Sequence, residues 1–248
     1  MPVYRLLLEY DGASYFGWQA QPSLPTVQGA LDRALSILTR EAIRTTGAGR
    51  TDRGVHARGQ VASFHSTARL DCRRIAAGIR GICGPMIQVR VMEEADPAFH
   101  ARHDARWRAY SYRLLERPSP LWRHHAHCPP ALPGLAELRA TSEPLLGRHD
   151  FTSFANVSAD SADPSCEVLH AAWESWDHGL LFRVRADHFL YKMVRTVVGT
   201  LLREALPGGG GSEAMRRIIG ARDRRLASAP LPPMGLCLEA VGYEPPWP

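Results

Sequence analysis

Gly47-Ala48-Gly49-Arg50-Thr51-Asp52-Arg53-Gly54-Val55-His56-Ala57 is the densest run of chemically useful residues in the chain. Its glycines let a backbone turn tightly and let a ligand approach it closely. Two nucleotide-binding motifs fail on inspection. A Gly-x-Gly-x-x-Gly fingerprint needs glycine where Asp52 stands, and a phosphate loop built on Gly49 and Gly54 needs Lys then Ser or Thr where Val55 and His56 stand. What remains is a carboxylate between two arginines. Nearby guanidinium groups favour the ionised form of Asp52, and a positioned carboxylate can act as a nucleophile. Arg50 and Arg53 can also contact phosphates, or fill the gap left when a base leaves its stack. A turn holding a structural Asp–Arg pair uses the same residues.

Two further segments carry candidates. In Phe189-Leu190-Tyr191-Lys192-Met193-Val194-Arg195, helical spacing places Arg195 at the margin of an apolar stripe. There it either pairs with a carboxylate, Asp52 being one candidate, or reaches out to solvent. The residue types alone favour solvent. In Arg108-Ala109-Tyr110-Ser111-Tyr112, alternation puts both tyrosines on one face, where they serve either as core aromatics or as a stacking and proton-transfer surface. The tract His124-His125-Ala126-His127-Cys128 has neither zinc-finger nor HExxH spacing, so no metal is expected there.

The elements that position these residues follow from periodicity. Val3–Tyr10 reads as a strand, and Thr26 caps a helix with the stripe Val27, Ala30, Leu31, Ala34, Leu35, Leu38. Gln60–His65 is a strand, Asp71–Arg80 a short helix and Ile87–Val91 another strand. Arg106–Glu116 repeats the opening strand, and Leu135–Leu146 is a helix. Val168–Trp176 and Leu180–Ala186 pair through a turn at Asp177-His178-Gly179. Leu190–Leu206 is the best helix of the chain. Gly208–Gly211 reads as a flexible connector to a last helix capped by Ser212, and Leu236–Val241 is a final strand. The order of elements divides near residue 105, into halves 1–105 and 106–248. Irregular crossovers argue for an α+β fold with a mainly antiparallel sheet.

Composition bounds the function. The chain has 248 residues, 45% hydrophobic and 22% charged, with a net charge of +5. It is long enough for a real core. Lys192 is its only lysine, and an arginine surplus suits a polyanion as much as it reflects a GC-rich genome. Five cysteines without a CxxC pair argue against disulfides and a cysteine-rich zinc site. No signal peptide or membrane span is expected, and the natural location is the cytoplasm.

The run Gly49–Ala57 resembles the signature of the tRNA pseudouridine synthase A family. Four other segments agree in order: Tyr10-Asp11-Gly12 through Phe16-Gly17-Trp18-Gln19 and Thr26-Val27-Gln28; Phe99-His100-Ala101-Arg102 with Arg108–Tyr112; His149-Asp150-Phe151-Thr152-Ser153-Phe154; and Phe189-Leu190-Tyr191 with Met193-Val194-Arg195 and Gly199. The resemblance implies an α+β fold of two related ferredoxin-like halves joined into one mainly antiparallel sheet flanked by helices, with the active-site cleft between halves. It implies Asp52 as nucleophile, Arg50 as the base-flipping arginine, Tyr110 as the substrate-binding tyrosine and Arg195 as the partner of the nucleophile, which reverses the solvent reading. It further implies a cofactor-free homodimer acting on uridines 38, 39 and 40 of the tRNA anticodon stem-loop. His188 stands at a position where the family's residues vary, and the Pro/His-rich tract 117–134 matches nothing firmly. Two other classes fit the residues: a non-catalytic RNA-binding protein of the same fold, and a metal hydrolase built on 124–128.

Overall fold

The computed structural model describes residues 1–155 and 163–247. The chain forms two compact units, one of Met1–Arg106 with Cys237–Pro248, the other of Trp107–Leu236. The sequence places the division one residue earlier and leaves all of 106–248 in the second half. In the structure the final strand returns to the first unit.

In the first unit, β1 (Val3–Tyr10) pairs antiparallel with β3 (His56–His65) on one side and β4 (Ile87–Ala95) on the other. The two-residue β2 (Thr46–Gly47) adds to β3. The last strand, β9 (Leu236–Gly242), runs parallel to β3, with His56 opposite Cys237 and Ala57 opposite Leu238. Alternation along β1 buries Tyr4, Leu6, Leu8 and Tyr10 on one face. Helix α1 (Val27–Thr39) buries Val27, Leu31, Ala34 and Leu35, and helix α2 (Cys72–Cys83) buries Ile75 and Ile79. Each fully buried Leu or Ile contributes roughly 1.5–3 kcal/mol. Helix α1 starts after the cap that the sequence places, whereas α2, read as beginning at Asp71, starts at Cys72 with Asp71 as its cap. Thr26 accepts from Gly29 N, and Asp71 accepts from Arg74 N.

In the second unit, neighbouring strands run β5 (Trp107–Leu115), β8 (Gly179–Ala186), β7 (Ser165–Trp176), β6 (Gly147–Asp150), every adjacent pair antiparallel. Its helices are α3 (Leu135–Ser142), α4 (Met193–Ala205) and α5 (Gly211–Ala221). Trp173, Tyr112, Phe151, Phe154 and Phe182 fill the core, and Trp173 Nε1 donates to Ser142 Oγ at 2.8 Å. The fold is thus α+β with mainly antiparallel pairing.

Several boundaries differ from the sequence reading. Helix α3 ends at Ser142 and tightens into a 3-10 turn over Glu143–Leu145, because Pro144 has no N–H to continue the ladder. Helix α4 begins at Met193 rather than Leu190, since Lys192 takes a left-handed conformation (φ 61°). Helix α5 begins at Gly211 after Gly210, so Ser212 lies inside the first turn and is not the cap. The glycine connector is a hydrogen-bonded turn: Gly209 N donates to Leu206 O at 2.9 Å, and Gly210 N to Glu204 Oε2 at 3.0 Å.

Candidate active site

Asp52 sits on the loop between β2 and β3, and the segment 10–18 grips that loop by its backbone. The Tyr10 hydroxyl and Thr51 Oγ1 share a buried hydrogen bond of 2.8 Å. Trp18 N donates to Thr51 O at 3.0 Å, and Gly54 N to Tyr15 O at 3.3 Å. Gly12 N donates to His56 Nδ1 at 3.2 Å, a nitrogen that also lies 3.1 Å from Asp11 Oδ1. From the sheet side, Ala48 N donates to Val61 O at 2.8 Å, and Gln60 Nε2 donates to Gly49 O at 2.9 Å. Within the loop, Val55 N donates to Asp52 O at 3.1 Å, closing a turn in which Gly54 has φ 78°. The residues before and after Asp52 are therefore fixed, while its own side chain is half-buried.

The fit between the two segments is tight. A Cβ on Gly12 would lie 2.0 Å from Val55 O, and one on Gly17 would lie 2.7 Å from Thr51 O with φ already at 92°. Glycine is required at both positions, by the close approach at the first and by the left-handed backbone as well at the second. Arg50 and Arg53 are exposed. Arg53 lies over the Phe16 ring at 4.2 Å, which holds its guanidinium on the surface beside the loop.

Tyr110 and Arg195 belong to the second unit. Tyr110, opposite Val184 in the β5–β8 register, is 9% exposed, and its ring meets Phe189 edge-on at 5.1 Å. Tyr112 shares its face but is a core residue. It is fully buried, its hydroxyl donates to Pro232 O at 2.7 Å, and burial raises its pKa well above the ordinary tyrosine value. The two tyrosines, alike in sequence, thus divide into a core residue and a margin residue. Arg195 is half-buried in the first turn of α4 and does not simply reach into solvent. Its Nε donates to Leu231 O at 2.6 Å, and Leu231 N donates back to Arg195 O at 3.2 Å.

In the histidine tract, Trp122 O accepts from His125 N and Ala126 N, and His127 exchanges backbone hydrogen bonds with β5 at Arg113 O and Leu115 N. Burial lowers the His127 pKa. The five cysteines, all among the described residues, form no disulfide. One grouping of metal-capable side chains, Cys166, Asp187 and His188, has ligand atoms within 4.8 Å of one another. It joins β7 to the residues after β8, a spacing that no linear motif reveals. The sequence also gave no role to Tyr10, Gly12, Gly17, Trp18 or Gln60. Tyr10, Gly12, Gly17 and Trp18 appear in the opening motif, but only the fold sets them and Gln60 against the Asp52 loop.

Residues 7–104 and 142–244 match the sequence family described as tRNA pseudouridine synthase. The chain belongs to that family. Asp52, Arg50 and Arg195 lie inside the matched stretches, and Tyr110 lies between them. Among curated relatives, tRNA pseudouridine synthase A of Moorella thermoacetica is 39% identical over 252 aligned positions, covering 98% of this chain and 100% of the relative. That of Cereibacter sphaeroides is 38% identical over 255 positions, covering 98% and 97%. That of Pelodictyon phaeoclathratiforme is 38% identical over 204 positions, covering 82% and 84%. Among the described residues, no helix is long and apolar enough to cross a membrane.

Proposed function

We propose that the chain isomerises uridine to pseudouridine in tRNA, at positions 38, 39 and 40 of the anticodon stem-loop, with Asp52 as nucleophile. The observation that carries this reading is the contrast at the loop. Its backbone is clamped at Thr51, Gly54 and Val55–His56, yet the Asp52 carboxylate and the Arg50 and Arg53 guanidiniums stay accessible. A rigid mount with reachable charged groups is what a preorganised reacting group needs.

The reaction breaks the N1–C1′ bond of uridine, turns the base and joins C1′ to C5, with loss of the C5 proton and protonation of N1. No electrons are exchanged and no cofactor is required. Asp52 holds the intermediate covalently while the base rotates. The target must leave its stack, at a cost of a few kcal/mol, and Arg50 fills the space it vacates. Tyr110 contacts the displaced base and serves in transfer of the C5 proton. Arg195, anchored at Nε on Leu231 O, is the arginine that the family resemblance pairs with the nucleophile. Arginine contacts to phosphates make binding salt-dependent. The chain works as a cytoplasmic homodimer.

The test is tritium release from tRNA labelled at uridine C5. Asp52→Asn keeps tRNA affinity and loses turnover, whereas release near the wild-type rate would remove Asp52 from the mechanism. Pseudouridine mapping in tRNA from cells lacking the protein assigns the positions. Unchanged modification at 38–40 would refute that assignment.

A further inference from the structure

A second cluster lies in the second unit, away from the Asp52 loop in sequence and independent of the proposed reaction. His188 follows β8. Its Nδ1 lies 3.0 Å from Asp187 Oδ1, and its Nε2 lies 3.3 Å from the sulfur of Cys166 on β7 and 3.0 Å from the backbone carbonyl of Asp163. Asp187 is saturated. Its Oδ1 also accepts from Glu167 N at 3.0 Å and from His188 N at 2.6 Å, and its Oδ2 accepts from Arg148 Nη2 at 3.2 Å. A carboxylate held this firmly fixes the position of the imidazole beside it.

His188 Nε2 faces two groups at once, the Asp163 carbonyl oxygen and the buried thiol of Cys166. Two arrangements use this convergence: a hydrogen-bonded trio with Nε2–H donating to the Asp163 carbonyl, or a cation bound by all three atoms. The donor set favours the cation. Thiolate and imidazole are the preferred ligands of zinc and similar thiophilic divalent ions. Zinc–ligand bonds of about 2.0–2.3 Å at tetrahedral angles give ligand–ligand edges of roughly 3.3–3.6 Å. The observed 3.3 and 3.0 Å approach those edges, so small adjustments complete the site. A carboxylate behind the ligating histidine is the usual outer support of such sites.

We propose that Cys166 Sγ, His188 Nε2 and the Asp163 carbonyl bind a zinc-class divalent cation, oriented by Asp187. The site ties β7, and the residues just before it, to the residues following β8. Binding exchanges the thiol proton for the metal: the S–H bond breaks, an S–metal bond forms and one proton is released to solvent. Without metal the thiol is inert, because burial, with the Asp187 and Asp163 charges adding to it, pushes its pKa up to about 12.

The experiment titrates the chelator-treated chain with Co2+ near neutral pH, followed by back-titration with Zn2+. One equivalent should give the thiolate-to-cobalt charge-transfer band and the visible bands of a tetrahedral ion, and Zn2+ should displace both. Cys166→Ala and His188→Gln abolish the signal, and Asp187→Asn weakens affinity 10- to 100-fold. Cys128→Ala and His125→Gln leave it unchanged. The proposal is overturned if the wild-type chain binds no equivalent of Co2+ or Zn2+, or if the signal survives Cys166→Ala. The wild-type titration decides the matter even if a variant fails to fold.

Discussion

Replacing Gly12 by alanine tests whether the 10–18 segment sets the position of Asp52. The new Cβ would lie 2.0 Å from Val55 O, 2.5 Å from Val55 C and 3.1 Å from Val55 N. Cβ contacts under 3.0 Å essentially do not occur, and the obstacle is backbone, so residues 12 and 55 must part by at least about 1 Å. Val55 N is bonded to Asp52 O, and Gly12 N to His56 Nδ1, so the displacement reaches the Asp52 turn directly. A misplacement of about 1 Å costs roughly 10²-fold in turnover, or about 2.7 kcal/mol of barrier. The accompanying loss of stability is about 1–3 kcal/mol. The assay is single-turnover tritium release from C5-labelled tRNA, at a temperature where circular dichroism shows the variant fully folded. Gly49→Ala is the comparator. No heavy atom lies within 4 Å of its Cβ, so its stability should stay within about 0.5 kcal/mol of wild type. A folded Gly12→Ala chain turning over within threefold of wild type would show that the segment does not position the loop.

Three other outcomes follow from the structure. Tyr10→Phe strips Thr51 Oγ1 of its 2.8 Å buried partner and should cost about 1–3 kcal/mol in urea denaturation; an unchanged midpoint counts against the clamp. Burial raises the Asp32 carboxyl pKa, while hydrogen bonds from Thr45 Oγ1 and N offset only part of the rise. The folded chain then binds that proton more tightly than the unfolded chain, so stability falls as pH climbs from the ordinary carboxylate pKa through the raised one. Asp32→Asn removes this slope, and its advantage over wild type should grow from acid to neutral pH in thermal melts; a pH-independent difference contradicts the burial argument. Arg195→Lys keeps the charge but loses the fork that seats Nε on Leu231 O. Turnover should fall at least tenfold with tRNA affinity little changed, and a wild-type rate would mean that the anchored geometry is dispensable.

Long periodic elements were legible in the sequence because burial imposes their period. The α1 stripe with its Thr26 cap and the alternating β1 are found where periodicity places them. Short pieces were not: β2 has two residues and β6 four, too few to show any period. Helix α4 was read three residues too long at its start, because Leu190 is buried like a stripe residue although its backbone precedes the left-handed Lys192. At the Asp52 loop, residue types were legible and the mount was not. A hydrogen bond such as Tyr10–Thr51 spans 41 positions and leaves no local trace. The Cys166–His188 contact, 22 residues apart across antiparallel strands, was hidden for the same reason.

Strand β9 lies beside His56 and Ala57, and Arg58 on the same strand reaches Glu239 across 181 residues. The edge of β3 nearest the Asp52 loop is thus closed by a strand that follows the whole second unit in sequence. A nascent chain can assemble β1, β3 and β4 early, but that flank stays unzipped until the second unit has been made and β9 follows it. The brace beside the Asp52 loop is therefore available only to chains already made through the second unit.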